Sequence, residues 1–273
     1  MVSQEQRKRQ LAREKFLRQQ QRRTTARRKA RMRNSVIASA LGVIVIGSVA
    51  LYTTGVLKND DDKTNASAHV TPSASAPSKA PDPCEKAAAG SVKKLSWKKE
   101  PAVTIDKSAK YTMKLATTCG DIDVALKTSA APHTVNSFNF LAGQGYFDHT
   151  KCHRLTTNGI YVLQCGDPTG TGSGGPGYTI PDENLKDSSL KANVYPAGTV
   201  AMANTGQKHT GGSQFFLVYA DSQLPPSYTP FGTVDAAGLK VLKKIATAGE
   251  NTGAGDGAPN ATVVINKATV TKS

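Results

Sequence analysis

Residues 111–127 read YTMKLATTCGDIDVALK, and this stretch decides what kind of fold the chain adopts. Tyr111, Met113 and Leu115 alternate with polar or small residues, and Ile122, Val124 and Leu126 repeat the pattern after Cys119-Gly120. A period of two sets one face of a strand against a core and the other toward water. Cys-Gly between two such runs makes a turn, so the segment reads as a β-hairpin. Downstream, Pro132 opens a helical stretch with Thr134 as the expected N-cap and Val135, Phe138 and Leu141 on one face; Gly143 and Gly145 end it. Short strand-like runs separated by Gly and Pro follow. A second helix is expected over Ala236–Ala246, with Leu239, Leu242 and Ile245 on one face, before ATVVINKATVTK (261–272) closes the chain as a strand. Many strands interrupted by two helices point to a mainly β fold, a closed barrel with helices capping it.

Upstream of this region the texture is different. The chain of 273 residues carries a net charge of +15, and residues 1–33, with 13 Lys/Arg against 2 Asp/Glu, supply +11 of it. The basic character therefore belongs to a tail, which excludes reading the pI as a nucleic-acid-binding surface on the folded part. No charge occurs from Asn34 to Leu57, and the 22 residues of Val36–Leu57, as a helix, reach roughly the ~30 Å of a bilayer core. The expected organisation is a basic cytoplasmic tail (1–33), a single transmembrane helix (34–57), a disordered or transitional extracytoplasmic linker (58–108) and a folded domain (109–273). No small-residue cleavage site ends the apolar run, and Ala66-Ser67-Ala68 lies well past it, so the span reads as a retained signal anchor. Location in the cell membrane with the folded domain outside the cytoplasm follows from the positive charge before the span. Anionic lipid is the expected partner of the tail; without interleaved aromatics, no nucleic acid is expected. Residues 58–83 are rich in Ala, Ser, Pro and Asp and cannot bury enough surface to order themselves. Trp97 and Val103-Thr104-Ile105 hint at some order in residues 84–108.

A second hairpin lies in CHRLTTNGIYVLQCG (152–166). Asn158-Gly159 between strand-like runs predicts a two-residue type I′ turn. That register sets Thr156 opposite Tyr161, Arg154 opposite Leu163, His153 opposite Gln164 and Cys152 opposite Cys165. Directly opposed residues approach disulfide range, so Cys152–Cys165 is the first expected pairing. Cys84–Cys119 follows only by elimination, with free thiols as the alternative. Gly170-Thr-Gly172-Ser-Gly174-Gly175 satisfies G-x-G-x-x-G, but Pro176-Gly177 follows where a phosphate cradle needs a helix. It reads as a flexible loop without a nucleotide. His149, Cys152 and His153 invite a metal, yet neighbouring strand residues face opposite ways. No metal and no cofactor is expected.

One ordered set of motifs goes further: His153-Arg154, Gln164-Cys165-Gly166-Asp167, Met202-Ala203-Asn204, Gly212-Ser213-Gln214-Phe215-Phe216 and Phe231-Gly232. Together they resemble the cyclophilin family of peptidyl-prolyl cis-trans isomerases over roughly residues 110–272. The resemblance implies an eight-stranded antiparallel barrel with two capping helices and an isomerase of X-Pro bonds in proline-containing polypeptides; behind the expected anchor, a monomer working on exported or unfolded chains is expected. It places Arg154 at the family's catalytic arginine. It also implies substrate contacts at Tyr161, Val162, Gln164, Ala203, Asn204, Gln214, Phe216, Leu224 and Tyr228, with Phe216, Leu224 and Tyr161 around the proline ring. Gln223 stands where many members carry Trp. Ideal hairpin register puts Arg154 and Tyr161 on one face and Gln164 on the other, so a shared groove requires a bulge or strong twist. The rival expectation is a proline-peptide binding module, or chaperone, with little turnover.

Overall fold

The computed structural model describes residues 81–273. The expected tail, the membrane helix and the linker up to residue 80 lie outside the described residues. Among the described residues, no helix is long and apolar enough to cross a membrane.

The first hairpin is formed by β1 (Tyr111–Thr117) and β2 (Gly120–Leu126), with Thr117 paired to Gly120 across the turn. Gly120 sits at φ 130, where a side chain is rarely accommodated. Met113, Leu115, Ile122 and Val124 are fully buried, as the alternation requires. α1 (Pro132–Gly143) presents Val135, Phe138 and Leu141 to the core without exposure. Its N-terminus differs from expectation. Pro132 takes the first helical position and Thr134 lies inside the helix, while Ala131, with no side-chain oxygen, occupies the N-cap. The free amides of His133 and Thr134 instead donate to the Glu183 carboxylate, at 3.0 and 2.9 Å. An anion from a distant loop thus does the capping. α2 (Ala236–Thr247) is capped locally, Asp235 accepting from the Gly238 amide at 2.7 Å. Leu242 and Ile245 are buried beneath it.

The remaining strands are short: β3 (Thr150–Lys151), β4 (Arg154–Thr156), β5 (Val162–Cys165), β6 (Val194–Tyr195), β7 (Thr199–Met202), β8 (Phe215–Val218), β9 (Ser222–Gln223), β10 (Pro230–Val234) and β11 (Asp256–Gly257), then the long β12 (Val264–Lys272). Among the described residues, ten of the twelve form one curled antiparallel sheet in the order β11-β4-β5-β8-β7-β10-β2-β1-β12-β3, and β6 pairs with β9. The expected ring of eight paired strands is therefore corrected to an open strand order. Its end strand β3 and the near-terminal β4 are consecutive in sequence. Between them the Cys152 amide donates to Val263 and the His153 amide to Gln164, at 3.0 and 3.1 Å. One bent segment serves both ends of the sheet because successive strand amides point opposite ways. Inside the curl, Phe138 stacks on Phe147 at 5.3 Å, meets Phe215 edge-on at 5.5 Å and lies tilted against Phe231 at 4.5 Å.

Residues 81–108 are not a loose linker. They run as a strap without helix or strand, and Leu95, Trp97, Val103 and Ile105 pack against the core. Disulfides join Cys84 to Cys119 and Cys152 to Cys165.

Candidate active site

The second hairpin does not take the expected turn. A type I′ turn needs positive φ at both central residues, and only Gly159 has it, at 76. The Val162 amide donates to the Thr156 hydroxyl (3.0 Å) and the Tyr161 amide to the Ser222 hydroxyl (2.8 Å), so residues 157–161 form a wider loop. The ladder then pairs Arg154 with Gln164 and Leu155 with Leu163, one residue away from the expected register. The Cys152–Cys165 bond is present as expected, its Cα atoms 4.0 Å apart as for opposed residues, so the register slips only after the cysteines, where His153 and Arg154 both stand against Gln164.

This shift has a functional consequence. Arg154 faces Gln164, Gln164 pairs with Phe216 on β8, and Phe216 pairs with Ala201 on β7. Directly paired residues share a face, so one row crosses four strands on the outside of the curl. The extra residue at His153 supplies the bulge that the ideal register demanded. Val162, Tyr195, Ala201, Phe216 and Val218 form an apolar cluster separate from the core, flanked by Leu224 and Tyr228. Tyr228 meets the Phe216 ring edge-on at 5.4 Å. Above it lies a cavity of about 510 Å³ whose wall includes Arg154, Val162, Gln164, Phe216, Leu224 and Tyr228.

Tyr161 is not there. It turns to the opposite side, 5.9 Å from the Tyr219 ring, and Ile160 lines the cavity instead. The one-residue change of register moves the odd-numbered Tyr161 off the face shared with Arg154 and Gln164.

A polar chain runs along the floor. Arg154 donates from Nε and Nη2 to the two Asp256 carboxylate oxygens at 2.7 and 2.8 Å, and from Nη1 to Gln164 Oε1 at 3.1 Å. A guanidinium can only donate, which orients the Gln164 amide. Gln164 Nε2 then donates to Gln214 Oε1, and Gln214 Nε2 to the Gly174 carbonyl, both at 2.9 Å. Asp256 holds the guanidinium charged, and Arg154 in turn pulls the Asp256 carboxyl below its usual range. Asp256 was not foreseen in the sequence. It lies 102 residues from Arg154, and no local pattern singles it out of GAGDGAP.

A wider cavity of about 870 Å³ adjoins the first, sharing Gln164, Gly172, Ala203 and Asn204 with it. Asn204 fastens its rim, donating from Nδ2 to the Ser227 carbonyl and accepting from the Gly206 amide. The opposite wall is the glycine-rich loop. Its amides do converge on an anion, but an internal one: the Asp167 carboxylate accepts from Thr169, Thr171, Gly172 and Gly174 at 2.7–3.1 Å. Burial opposes that charge, yet the amides of Gly174, Thr169 and Gly172 and the Thr169 hydroxyl outweigh it and hold the carboxyl at about 2. The loop read as flexible is thus tied from within. His153 has no partner at either ring nitrogen among the described residues, and burial pushes its pKa down.

The family model for cyclophilin type peptidyl-prolyl cis-trans isomerase/CLD matches residues 112–270. A probable peptidyl-prolyl cis-trans isomerase B of Mycobacterium leprae is 52% identical over 165 residues, covering 58% of this chain and 56% of the relative. The protein of the same name from Mycobacterium tuberculosis is 50% identical, covering 58% and 53%. The chain therefore spans about half the length of these curated relatives. A crystal structure of a cyclophilin type peptidyl-prolyl cis-trans isomerase from Cryptosporidium parvum is similar with a TM-score of 0.50 and 27% identity, over 60% of this chain and 99% of that one. The same protein was also solved in the presence of the dipeptide Ala-Pro, with 28% identity and the same TM-score. More than half of the sequence matching one family model, around a row of residues drawn from four strands, decides the assignment: this chain belongs to the cyclophilin-type peptidyl-prolyl cis-trans isomerase family.

Proposed function

We propose that the protein is a peptidyl-prolyl cis-trans isomerase that accelerates X-Pro bond rotation in unfolded or exported polypeptides. Rotation about that bond faces a barrier of ~18–20 kcal/mol because the nitrogen lone pair is conjugated with the carbonyl. Uncatalysed, it takes tens to hundreds of seconds. The reaction makes and breaks no covalent bond. What it needs is a donor for the prolyl nitrogen as conjugation is lost, a dry notch for the ring, and a hold on the flanking chain. Arg154 fits the donor role because its charge is permanent and its fork is fixed by Asp256 and Gln164. Phe216, Leu224 and Tyr228 suit the proline ring. Gln164, Gln214 and the backbone at Ala203 and Asn204 suit the chain. The observation that carries the reading is a doubly anchored guanidinium lining the same cavity as the Phe216 notch.

The proposal extends to location. The uncharged run 34–57 behind a basic tail supports a retained single-pass anchor, with the tail against anionic lipid and the folded domain, a monomer, outside the cytoplasm. Two disulfides favour an oxidising compartment.

Turnover of a proline tetrapeptide by the full 273-residue chain, measured beside Arg154→Ala, tests the activity. Rapid isomerisation lost in the variant is the expected result. Peptide binding by both proteins with no acceleration by either makes the chain a proline-peptide binding module instead.

A further inference from the structure

The glycine-rich loop that walls the wider cavity has almost no side chains with which to hold its own position. Asp167 ties one end of it, and Gln214 its middle. Its far end is tied by the strap, which lies outside the residues matched by the family model. There the Trp97 amide donates to the Pro176 carbonyl at 2.8 Å. At Gly177 (φ 87) a Cβ would run into the Ser96 hydroxyl and stand 2.7 Å from the Trp97 carbonyl, so loop and strap meet backbone to backbone.

A second route leaves the same tryptophan. Its ring meets Phe140 edge-on at 5.0 Å and tilts over Tyr146 at 5.9 Å. The Ser213 hydroxyl donates to the Gly166 carbonyl (2.7 Å), so in the 3.0 Å bond between Tyr146 and Ser213 the tyrosine is the donor. Ser213 and Gln214 both line the wider cavity. Trp97 therefore reaches the wall through Pro176 and the floor through Tyr146. The strap itself is pinned on either side of Trp97. Before it stand the Cys84–Cys119 bond and Lys93, whose Nζ donates to the Gln144 carbonyl at 3.0 Å. After it, Glu100 contacts His133 at 2.7 Å and Asn136 donates to the Ala102 carbonyl at 3.1 Å.

We propose that Trp97 is a positioning residue for the wider cavity, and that the strap makes the protein selective for extended polypeptides over short proline peptides. This rests on the proposed peptide site. Trp97 is the only tryptophan of the chain, so its emission reports on the wall without any substitution. The probes are a proline tetrapeptide and the same core lengthened by about six residues on one side or the other, roughly 20 Å of extra reach. Binding of each to the full chain is followed by calorimetry and by Trp97 fluorescence. One lengthened peptide is expected to shift the emission while the tetrapeptide does not. In Trp97→Ala, which keeps the amide bond to Pro176 but loses the ring contacts with Phe140 and Tyr146, the ratio of kcat/KM for that peptide to kcat/KM for the tetrapeptide is expected to fall about fivefold, with Trp97→Phe restoring most of it. Binding of both lengthened peptides with the tryptophan silent in each case overturns the inference alone, and so does an unchanged ratio, even if both activities drop. Absence of binding by every peptide overturns the peptide-site reading and the inference with it.

Discussion

Phe215 and Phe216 are neighbours on β8, and each is nearly fully buried, yet they belong to different regions. Phe215 points into the curl, against Phe138 and Phe147 at 5.5 and 6.0 Å. Phe216 points out, toward Tyr195 and Tyr228, in a cluster that opens on the Arg154 cavity. The inner face is sealed and rimmed by more apolar side chains. The outer face is an apolar notch beside a charged polar chain. Sheet alternation thus produces a core and a binding notch from the same four residues, and only what lies beyond each face tells them apart.

The largest break in that comparison is expected from Phe215→Ala. An unfilled aromatic site in a sealed core costs about 3–5 kcal/mol, which equilibrium unfolding will register. Phe216→Ala opens an already open notch and is expected to lose less stability but most of the turnover. Equal loss of stability in the two variants would contradict the division. Next comes Arg154→Ala, expected to reduce kcat/KM about 10²–10³-fold, the range for removing one preorganised electrostatic donor. Its melting temperature should scarcely move, and Arg154→Lys should recover little, because a lysine cannot reproduce the fork held by Asp256 and Gln164.

Asp256→Asn sharpens the distinction between charge and position. With the bidentate anchor gone but the arginine retained, kcat is expected to fall about tenfold while KM changes little, a loss the size of one charge-assisted bond. A change confined to KM would place Asp256 in substrate binding. The smallest effect is on pH dependence. The folded-state carboxyl of Asp256 lies below its usual value, so the pair with Arg154 is intact above the ordinary carboxylate range and is lost only as pH falls through the depressed value. The same sign applies to Asp167. Its contribution to the glycine-rich loop is present above about pH 4 and disappears toward about 2. A drop in kcat/KM beginning near pH 6 would argue against both.

Much of this was legible in local pattern. The first hairpin, both helices and the closing strand follow from periods of two and 3.6 together with Pro and Gly. The opposite faces of Phe215 and Phe216 follow from alternation alone. Where the reading missed, the cause was a partner distant in sequence. Glu183 took over the cap expected of Thr134. The hydroxyls of Thr156 and Ser222 drew off the amides that a tight Asn-Gly turn would have left to the ladder, and the register moved by one. That shift brought Arg154 opposite Gln164 and carried Tyr161 away from the notch. The expected ring of eight strands is a ten-strand ladder, its two ends linked only through the single bent segment at Cys152-His153, a long-range arrangement no local pattern announces.

By itself, then, the sequence determined the alternation that builds two-faced strands, the motif order that marks the family, and the cysteines available for bonding. Tertiary structure alone decided which face of each strand is sealed, which acid holds Arg154, and that residues 81–108 lie against the folded body. The physical reason is range. Periodicity and turn chemistry act over a few residues, whereas a carboxylate finds its guanidinium, or a tryptophan its wall, only after the sheet has curled.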